Sequence, residues 1–498
     1  MTEKKVLNNV SCIDKDECSG CGACKWVCPT KCIEMIMDDE GFLYPYIVEE
    51  KCESCGKCVN VCRYSIEGKK VVLKALMGCS KDTHVRCNSS SGGIFYEISK
   101  HVILNGGVVY GAEYNDQFKA IHIRVDSIED LPRLIGSKYM QSDLQHIFEQ
   151  IKSDVDHDRI VLFSGTPCQT NIVRSMFSSD LLTCISVVCH GVPSAEVWSR
   201  YLAHIQKECG EKTIKKVNFR NKNKGWNDYS LKIDFDHEYY INHHRTDIFM
   251  SGFLDNLFLR TSCYKCLHKR NDCADITLGD FWGVEKHYAE IDTTNGVSGI
   301  IVRTENGKKM LEGISMSVSV RETEYSYIFE NNNSLEESAP KNNGRKYFFE
   351  DFKRNIPIDY AIKTNLSTKK RVDSIGFHLL DRWMTCIRKG KTIETFFCDN
   401  NYKTIAIFGM GIIGRQIVAE LTMTSVDVKY GIDRNSDKIS IDSIVMLSLP
   451  EIVNMTEVDA IVVTPVQMYG EIEKVLWYYG RQEDILSFEY IVHYIESK

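Results

Sequence analysis

Two stretches near the start of the chain decide its fold: CSGCGACKWVCP at residues 18–29 and CESCGKCVNVCR at residues 52–63. Both place four cysteines in the spacing C-x2-C-x2-C-x3-C. The first three thiolates of such a run wrap a tight loop around one 4Fe-4S cluster, and the fourth crosses over to ligate the other cluster. The repeated pattern therefore predicts two clusters, each completed by a cysteine from the other copy.

The crossover assigns four ligands to each cluster. One set is Cys18, Cys21, Cys24 and Cys62, and the other is Cys28, Cys52, Cys55 and Cys58. Zinc is the alternative, because C-x2-C knuckles also bind zinc through four thiolates. Three cysteines at i, i+3 and i+6, followed in the first copy by Pro29, favour iron-sulfur clusters.

Residues 12–65 resemble a bacterial two-cluster ferredoxin, although Arg63 stands where the second copy of that pattern usually has proline. Cluster ligation does not depend on this proline. Cys12 and Cys32 fall outside the spacing, and we interpret them as small buried residues.

Length and composition bound the class of protein. At 498 residues the chain is long enough for about three domains of roughly 150 residues each. A net charge of -7 argues against a general nucleic-acid binder. Residues 1–10 lack the apolar core of a secretory signal, and no apolar run approaches the roughly 18 residues of a membrane span. We therefore expect a cytoplasmic protein, and the 21 cysteines fit a reducing compartment better than a disulfide framework.

A serine-glycine segment at residues 89–93 precedes Ile94, Phe95, Ile98 and Val102, which recur at helical spacing. A helix that begins here leaves free backbone N–H groups, and these groups together with the helix dipole favour a bound phosphate. Plain N-capping of the helix by the serines is the alternative.

Two further cysteines are expected at the carboxyl ends of buried strands. Cys168 follows a predicted strand at 160–163, and Cys189 follows a predicted strand at 181–188. Open α/β sheets place their ligand sites at such strand ends.

A C-x2-C pair, Cys263 and Cys266, follows a helix predicted over about 247–259. Two thiolates cannot complete a four-ligand site. Cys168 and Cys189 are the simplest choice for the other two ligands, because both are expected at strand ends of the same domain. The four cysteines together would hold a third 4Fe-4S cluster. Zinc and free thiols are the alternatives to that cluster. Rival partner cysteines are Cys273, Cys87 and Cys184.

Several of these stretches together resemble the beta-subunit family of coenzyme F420-reducing hydrogenases and formate dehydrogenases. The chain is most similar to stand-alone bacterial members that carry an N-terminal dicluster ferredoxin. The resemblance covers about residues 12–345 and rests on residues 89–93, 136–142, 165–169, 189–193, 219–226 and 263–283. It implies a flavoprotein in which FAD lies between an iron-sulfur cluster and the substrate. Members that use the deazaflavin coenzyme are linked to a partner subunit with its own metal site, and nothing here supplies that site, so deazaflavin is not the expected substrate.

The resemblance also implies roles for single residues. The phosphates and ribityl chain of FAD would be cradled by Ser90, Ser91, Gly92, Gly93, Ser137, Lys138 and Gln141. Thr166 and the backbone at Gly191 would approach the isoalloxazine ring. His190 is implied as a proton donor to the substrate, and Asp280 as an orienting group or proton source. The alternatives are a structural hydrogen bond for His190 and a solvated surface position for Lys138.

The last hundred residues carry a dinucleotide-binding pattern. A predicted strand at 404–408 leads into a G-x-G-x-x-G run at 409–414, a helix, and a second strand ending in an acidic residue. In this pattern the glycines admit a pyrophosphate and the acid binds a ribose hydroxyl. The residues so assigned are Gly409, Gly411, Gly414 and Asp433. The module reads as about half a full Rossmann domain. It resembles Rossmann-like domains appended to sugar-modifying enzymes, and that resemblance leaves three alternatives open: a nucleotide ligand, a nucleotide-sugar ligand, or no ligand at all.

The sequence thus predicts an α+β and α/β multidomain protein. Its parts are a two-cluster ferredoxin domain at 1–70, a mixed α/β flavin-binding domain at 71–345, a helical linker at 346–400 and a small Rossmann-like α/β domain at 401–498. We expect an FAD-dependent iron-sulfur oxidoreductase that takes electrons from reduced ferredoxin or another redox protein. Its substrate would be a small molecule, with a sugar or cell-envelope precursor as the leading candidate. Two alternatives stay open: an electron-transfer subunit that relays electrons to a partner protein, and a redox-sensing regulatory module without flavin.

Overall fold

The structure is a computed structural model that describes residues 8–64, 71–366, 379–433, 436, 441 and 444–498. The chain divides into two compact units, Met1–Ile362 and Lys363–Lys498. This division falls inside the expected linker at 346–400, while the boundary expected near residue 70 lies outside the described residues. Within the described ranges, no helix is both long and apolar enough to cross a membrane.

The two halves of the expected linker pack into the units on either side of it. Phe348 is fully buried against Phe258 in the first unit. Trp383 and Phe396 are buried in the core of the second unit. These helices are therefore parts of the two folded units.

The first unit contains three sheets. Its strands are β1 (Ile33–Met37), β2 (Leu43–Ile47), β3 (Lys74–Ser80), β4 (Val108–Tyr114), β5 (Ala120–Val125), β6 (Val161–Gly165), β7 (Leu182–Val187), β8 (Lys216–Asn221), β9 (Ser230–Asp234), β10 (Tyr239–His243), β11 (Ile276–Asp280), β12 (Ser298–Val302) and β13 (Val318–Glu322). The α-helices up to residue 366 span Ala23–Val27, Lys57–Tyr64, Thr83–Asn88, Ile94–Leu104, Phe148–Asp156, Pro167–Met176, Ala195–Glu208, Ile248–Leu254, Glu305–Gly313, Tyr325–Phe329, Arg345–Lys353 and Ile358–Asn365.

The two cysteine runs fold in the same way. Each has a glycine in the left-handed region between its second and third cysteines: Gly22 with φ of +78° and Gly56 with φ of +74°. A side chain at either position would be strained, so glycine allows the chain to turn there. A short helix begins directly after Gly22, and another begins directly after Gly56.

An eight-stranded sheet forms the centre of the first unit, in the order β13-β3-β12-β11-β7-β6-β4-β5. The middle strands β11, β7, β6 and β4 are parallel, and the outer pairs are antiparallel. Because β6 and β7 are parallel neighbours, their carboxyl ends lie at the same edge of the sheet. The prediction that Cys168 and Cys189 follow the carboxyl ends of strands is confirmed, and the structure shows that the two strands are neighbours.

The helix predicted over 247–259 is shorter in the structure and spans Ile248–Leu254. Asn256 adopts a left-handed conformation with φ of +58°. The N–H of Leu257 bonds to the carbonyl of Gly252, which closes the helix at its carboxyl end.

The second unit is built on a five-stranded parallel sheet. Its strands are β14 (Thr404–Phe408), β15 (Asp427–Ile432), β16 (Val445–Leu447), β17 (Ala460–Val463) and β18 (Asp484–Ser487), in the order β16-β15-β14-β17-β18. Described α-helices of this unit span Ile393–Asp399, Ile412–Leu421, Tyr469–Tyr478 and Phe488–Ser497, and residues 379–388 are also helical. Read in chain order, the strands follow 3-2-1-4-5, which is the Rossmann order without its sixth strand. The expectation of only half a Rossmann domain was therefore wrong.

Gly414 allows the helix Ile412–Leu421 to pack against the loop that precedes it. A Cβ at Gly414 would lie 2.3 Å from the carbonyl oxygen of Gly409, whereas a Cβ at Gly411 would meet nothing within 4 Å. We expect Gly414→Ala to lower the free energy of unfolding of the second unit by about 2 kcal/mol, because a backbone atom must move. Gly411→Ala should change it by less than about 0.5 kcal/mol. Calorimetric unfolding of the full chain measures both, and equal effects of the two variants would contradict this account.

Candidate functional site

The cysteines of the first predicted cluster lie together. Burial, with added repulsion from Cys21 and Cys18, raises the pKa of Cys62 to about 12. Burial also raises the pKa of Cys24, and the neighbouring thiols are Cys21, Cys18 and Cys62. Cys62 from the second run therefore lies with three cysteines of the first run, which is the arrangement that the crossover spacing requires.

The cysteines of the second predicted cluster line one small cavity: Cys28, Cys52, Cys55 and Cys58. Cys32 lines this cavity as well, and its sulfur lies 3.4 Å from that of Cys28. Cys32 is buried as expected, but it lies beside the cluster position, whereas Cys12 is exposed and not buried.

The four cysteines considered for a third cluster also lie close to one another. Burial raises the pKa of Cys168, and the thiols that add to this effect are Cys266, Cys189 and Cys263. The rival partners lie elsewhere. Cys184 and Cys273 neighbour Asp272 and Arg174, and the Cys87 sulfur donates to Asn295.

A cavity of about 780 Å³ opens beside these four cysteines, within the usual size range of ligand pockets. Sequence-predicted residues that line it are Ser90, Ser91, Gly93, Ser137, Lys138, Gln141, Thr166, Cys168, Cys189, His190, Gly191, Cys263, Cys266 and Asp280. Cys21 of the first ferredoxin set lines the cavity too. Gly92 is not among the lining residues: it packs below the surface, where a Cβ would lie 2.4 Å from the carbonyl oxygen of Gly78.

The start of the helix Ile94–Leu104 faces the cavity. Gly93 is its N-cap residue, with φ of +87°, and no side chain caps the helix. The serines bond elsewhere: Ser90 Oγ lies 2.9 Å from Ser137 Oγ, and Ser91 Oγ donates to the carbonyl of Val297. The first-turn N–H groups are therefore not satisfied by these serines, which argues against plain N-capping.

Lys138 lies at the same wall, half-buried. Its Nζ donates to the carbonyl oxygens of Ile135 at 3.0 Å and Arg133 at 3.2 Å. Burial lowers the pKa of the Lys138 ammonium to about 7, with Glu113 opposing this effect. The Lys138 side chain is thus tied to backbone carbonyls at the cavity wall, and its low pKa makes its charge depend on pH near neutrality.

Gln141 joins the ferredoxin module to the central sheet. Its Nε2 donates to the carbonyl oxygen of Ser19, and its Oε1 accepts from Arg260. Arg260 is 1% exposed and also donates to the carbonyl oxygens of Cys18 and Leu43. No local sequence pattern pointed to Arg260.

The residues expected near the isoalloxazine ring are fixed in place by hydrogen bonds or by close packing. The Thr166 N–H donates to Gln169 Oε1 at 3.0 Å. Gly191 has φ of +150°, and a Cβ there would lie 3.3 Å from Cys263 Cβ. His190 Nε2 lies 3.2 Å from the carbonyl oxygen of Phe253, so the structural hydrogen bond considered for it is present.

Asp280 is paired with a buried arginine that sequence reasoning missed. Arg220, 6% exposed, donates from Nη1 to Asp280 Oδ2 at 2.8 Å and from Nη2 to Oδ1 at 3.3 Å. Trp226 Nε1 donates to the same carboxylate at 2.9 Å. Arg220 lines the cavity, and among the residues that the structure describes its Nε has no hydrogen-bond partner. These contacts favour the orienting role for Asp280.

In the second unit the fingerprint residues are close together. Asp433 Oδ2 accepts from the Met410 N–H at 2.8 Å, so the acid also braces the glycine loop. Gly409 has φ of +93°, and the helix after Gly411 has no side-chain cap.

Two family models match this chain, and both matches lie within the first unit. Residues 158–326 match the family model that describes the C terminus of the coenzyme F420 hydrogenase/dehydrogenase beta subunit, and residues 17–66 match that of the 4Fe-4S dicluster domain. The resemblance inferred from sequence is thus confirmed, and the chain is an iron-sulfur protein of the oxidoreductase class.

Three curated relatives are similar to parts of this chain. One subunit of the F(420)H(2) dehydrogenase of Methanosarcina mazei is 24% identical over 332 residues, covering 62% of this chain and 86% of the relative. Coenzyme F420-dependent sulfite reductase of Methanocaldococcus jannaschii is 21% identical over 329 residues, or 63% of this chain and 48% of the relative. The ferredoxin part is 42% identical over 62 residues to one subunit of the Na(+)-translocating ferredoxin:NAD(+) oxidoreductase complex of Acetobacterium woodii, covering 11% of this chain and 17% of that relative.

Among solved structures, a chain of the F420-reducing [NiFe] hydrogenase complex from Methanosarcina barkeri aligns with a TM-score of 0.36 at 14% identity. The alignment covers 59% of this chain and 92% of that chain.

The pairing of Asp280 with Arg220 makes a stability prediction. We expect Asp280→Asn to lower the free energy of unfolding by about 3 kcal/mol, because it leaves the buried Arg220 charge without its counter-ion. Asp292→Asn is the matched control: Asp292 pairs with Arg86 at 3.0 Å, but its side chain is 60% exposed, and we expect a loss below about 1 kcal/mol. Urea unfolding measures both. A stable Asp280→Asn protein that has lost turnover would instead make Asp280 a proton source.

Proposed function

We propose that the protein is an FAD-dependent iron-sulfur oxidoreductase that takes electrons from reduced ferredoxin or a similar redox protein and reduces a small organic substrate. The observation that carries this proposal is the shared cavity. Its wall contains the four cysteines of the third set, an uncapped helix start, and Cys21 of the ferredoxin module. Electron-carrying groups and a ligand-sized space therefore adjoin each other.

The sequence spacing of the cysteines favours 4Fe-4S clusters over zinc in the ferredoxin module, because each run places three cysteines at i, i+3 and i+6. This pattern supports one cluster held by Cys18, Cys21, Cys24 and Cys62 and another held by Cys28, Cys52, Cys55 and Cys58. The third cluster would be held by Cys168, Cys189, Cys263 and Cys266, whose thiols neighbour one another.

Buried cations accompany these cysteines. Burial raises the pKa of the Cys189 thiol to about 12. The nearby Lys269 ammonium has the opposite, smaller effect on this pKa. Lys269 is 2% exposed and donates to the carbonyl oxygen of Glu337. Arg260 lowers the pKa values of Cys21 and Cys263 in the same way, against the larger effect of burial. Fixed positive charge beside the thiols favours the anionic state that cluster ligation requires.

The cavity wall also suits the pyrophosphate of FAD. Free N–H groups of the helix start at Ile94 provide hydrogen bonds and the positive end of the helix dipole, and Lys138 adds a cation. Bound FAD supplies two-electron exchange with a substrate and one-electron exchange with iron-sulfur clusters. Thr166 and Gly191 line the part of the wall nearest the third cysteine set, where backbone groups orient a ring.

On the substrate side, His190 and Arg220 are the polar groups of interest. The His190 ring is held by the Phe253 carbonyl and lines the cavity, so it can exchange a proton with a substrate there. Arg220 lines the same space, but its charge is already balanced by Asp280, so it favours a polar, hydrogen-bonding substrate over a fully anionic one. A sugar or cell-envelope precursor fits this description.

A second candidate substrate is the deazaflavin coenzyme F420. Two relatives are named for reactions with it, and the similarity of this chain to them is the observation that favours it. The relay subunit without its own substrate and the flavin-free regulatory module are the remaining alternatives. Nucleotide or nucleotide-sugar binding by the second unit stays a prediction.

Metal and flavin analysis of anaerobically purified protein tests the proposal. We expect about twelve irons and one FAD per chain, and about eight irons in Cys263→Ser/Cys266→Ser, because one cubane holds four irons. Cys273→Ser is the matched control and should keep about twelve irons, since Cys273 lies apart from the third set. Eight irons without flavin in the wild type would overturn the proposal. Reduction of F420 by the flavin-loaded protein would decide for the second substrate.

Lys138 gives a pH-dependent prediction. Its pKa of about 7 leaves the ammonium mostly deprotonated at pH 8 when the cavity is free, and a bound pyrophosphate raises that pKa. FAD binding at pH 8 should therefore take up about one proton, and at pH 6 much less, because the ammonium is already charged. Calorimetric titration of flavin-depleted protein in buffers of different ionisation enthalpy measures this uptake.

Two variants make the Lys138 test specific. Lys138→Met should abolish the uptake at pH 8 and weaken FAD binding roughly tenfold, as expected for one lost charge-assisted bond. Lys265→Met should leave both unchanged, although Lys265 also lines the cavity, because its Nζ is paired with Asp16 at 3.0 Å. Proton uptake that persists in Lys138→Met would assign the titrating group elsewhere.

A further inference from the structure

Three side chains of the types that ligate metals lie together at one end of the β9-β10 hairpin, separate from the cysteine sets. Asp228, His243 and His244 each offer a ligand atom, and these atoms all lie within 4.8 Å of one another. The pairing of β9 with β10 brings them together, because His243 lies opposite Ser230 and Asp228 is two residues before Ser230. The group therefore follows from the register of a hairpin and not from a local motif.

The two imidazole rings are already oriented. His244 Nδ1 lies 2.9 Å from the carbonyl oxygen of Tyr229, and the His244 ring stacks on the Tyr229 ring at 4.2 Å. A histidine that donates one ring N–H to a backbone carbonyl presents its other nitrogen to a metal, which is the usual support of a metal-ligating imidazole. His243 Nε2 lies 2.6 Å from Asp228 Oδ1.

We propose that Asp228, His243 and His244 bind a divalent transition-metal ion of the zinc class, with water as the fourth ligand. Two imidazoles and one carboxylate are a common zinc ligand set, and imidazole nitrogen disfavours magnesium and calcium. On binding, the metal replaces the proton on His243 Nε2, and that proton moves to Nδ1. The 3.3 Å bond from the Arg245 N–H to His243 Nδ1 is then lost.

The metal would brace the wall of the large cavity. Tyr229, which supports His244, lines the cavity, and the Arg220 guanidinium lies 4.1 Å from the Tyr229 ring centre. The bound ion thus ties the loop before β9 to the end of β10, behind the residue that carries the buried charge. This role is independent of whether the cavity holds FAD.

Zinc binding to the purified, cluster-loaded protein tests the site. We expect the wild type to bind one zinc ion with a coordination shell of nitrogen and oxygen at about 2.0–2.1 Å in X-ray absorption spectra. Asp228→Asn and His243→Gln should each weaken this binding by more than the roughly 10–100-fold that loss of an outer partner costs. Both side chains are at least partly accessible, so these variants should fold, and unchanged iron content verifies it.

The control is a histidine-carboxylate pair that has no third metal-binding side chain beside it in the described ranges of the chain. His287 Nε2 lies 2.9 Å from Glu330 Oε2, and His287→Gln should bind zinc as the wild type does. A zinc–sulfur shell near 2.3 Å would show that cysteines bind the metal and would overturn the proposal. Equal zinc affinity in the wild type, Asp228→Asn and His243→Gln would overturn it as well.

Discussion

The guanidinium of Arg260 is the interaction on which the arrangement of the first unit depends. It is almost wholly buried, donates to two backbone carbonyls of the ferredoxin module, and donates to Gln141 of the central domain. The ring of Tyr44 lies 4.2 Å from it, and Gly20 leaves the space that it fills. A buried charge is costly unless its hydrogen bonds are satisfied, so these contacts must form together or not at all. A second link, Arg345 to Glu40 at 2.6 Å, reinforces the same junction.

This junction has an electrostatic consequence for the thiols around it. Cysteines removed from water resist ionisation, and the pKa values of Cys21 and Cys263 rise for that reason. One arginine opposes that rise for both cysteines, although they belong to different sets. The same residue therefore holds the module in place and supplies positive charge between two groups of anionic ligands. Arg220 and Asp280, which also line the cavity, form a separate buried pair whose charges balance locally.

Features that depend on local spacing were predictable from the sequence. The crossover of the ferredoxin cysteines, the helix after the serine-glycine segment, and the strand ends at Cys168 and Cys189 all follow from short-range patterns. Arg260 and Arg220 were not predictable, because their partners lie far along the chain: Arg260 bonds to a residue 242 positions away, and Arg220 to one 60 positions away. The extent of the second unit was underestimated because β16 has only three residues, too few to show a periodic pattern.

The bonds of Arg260 and Gln141 also determine how the ferredoxin module can deliver electrons. Many redox proteins depend on a carrier domain that swings between donor and acceptor, and their rates then follow the frequency of that motion. Here Cys21 lies in the cavity wall itself, and the module that carries it is fixed there by buried hydrogen bonds. In the proposed relay each electron crosses a constant distance through packed protein. The rate of electron transfer within the protein should therefore not depend on the viscosity of the solvent.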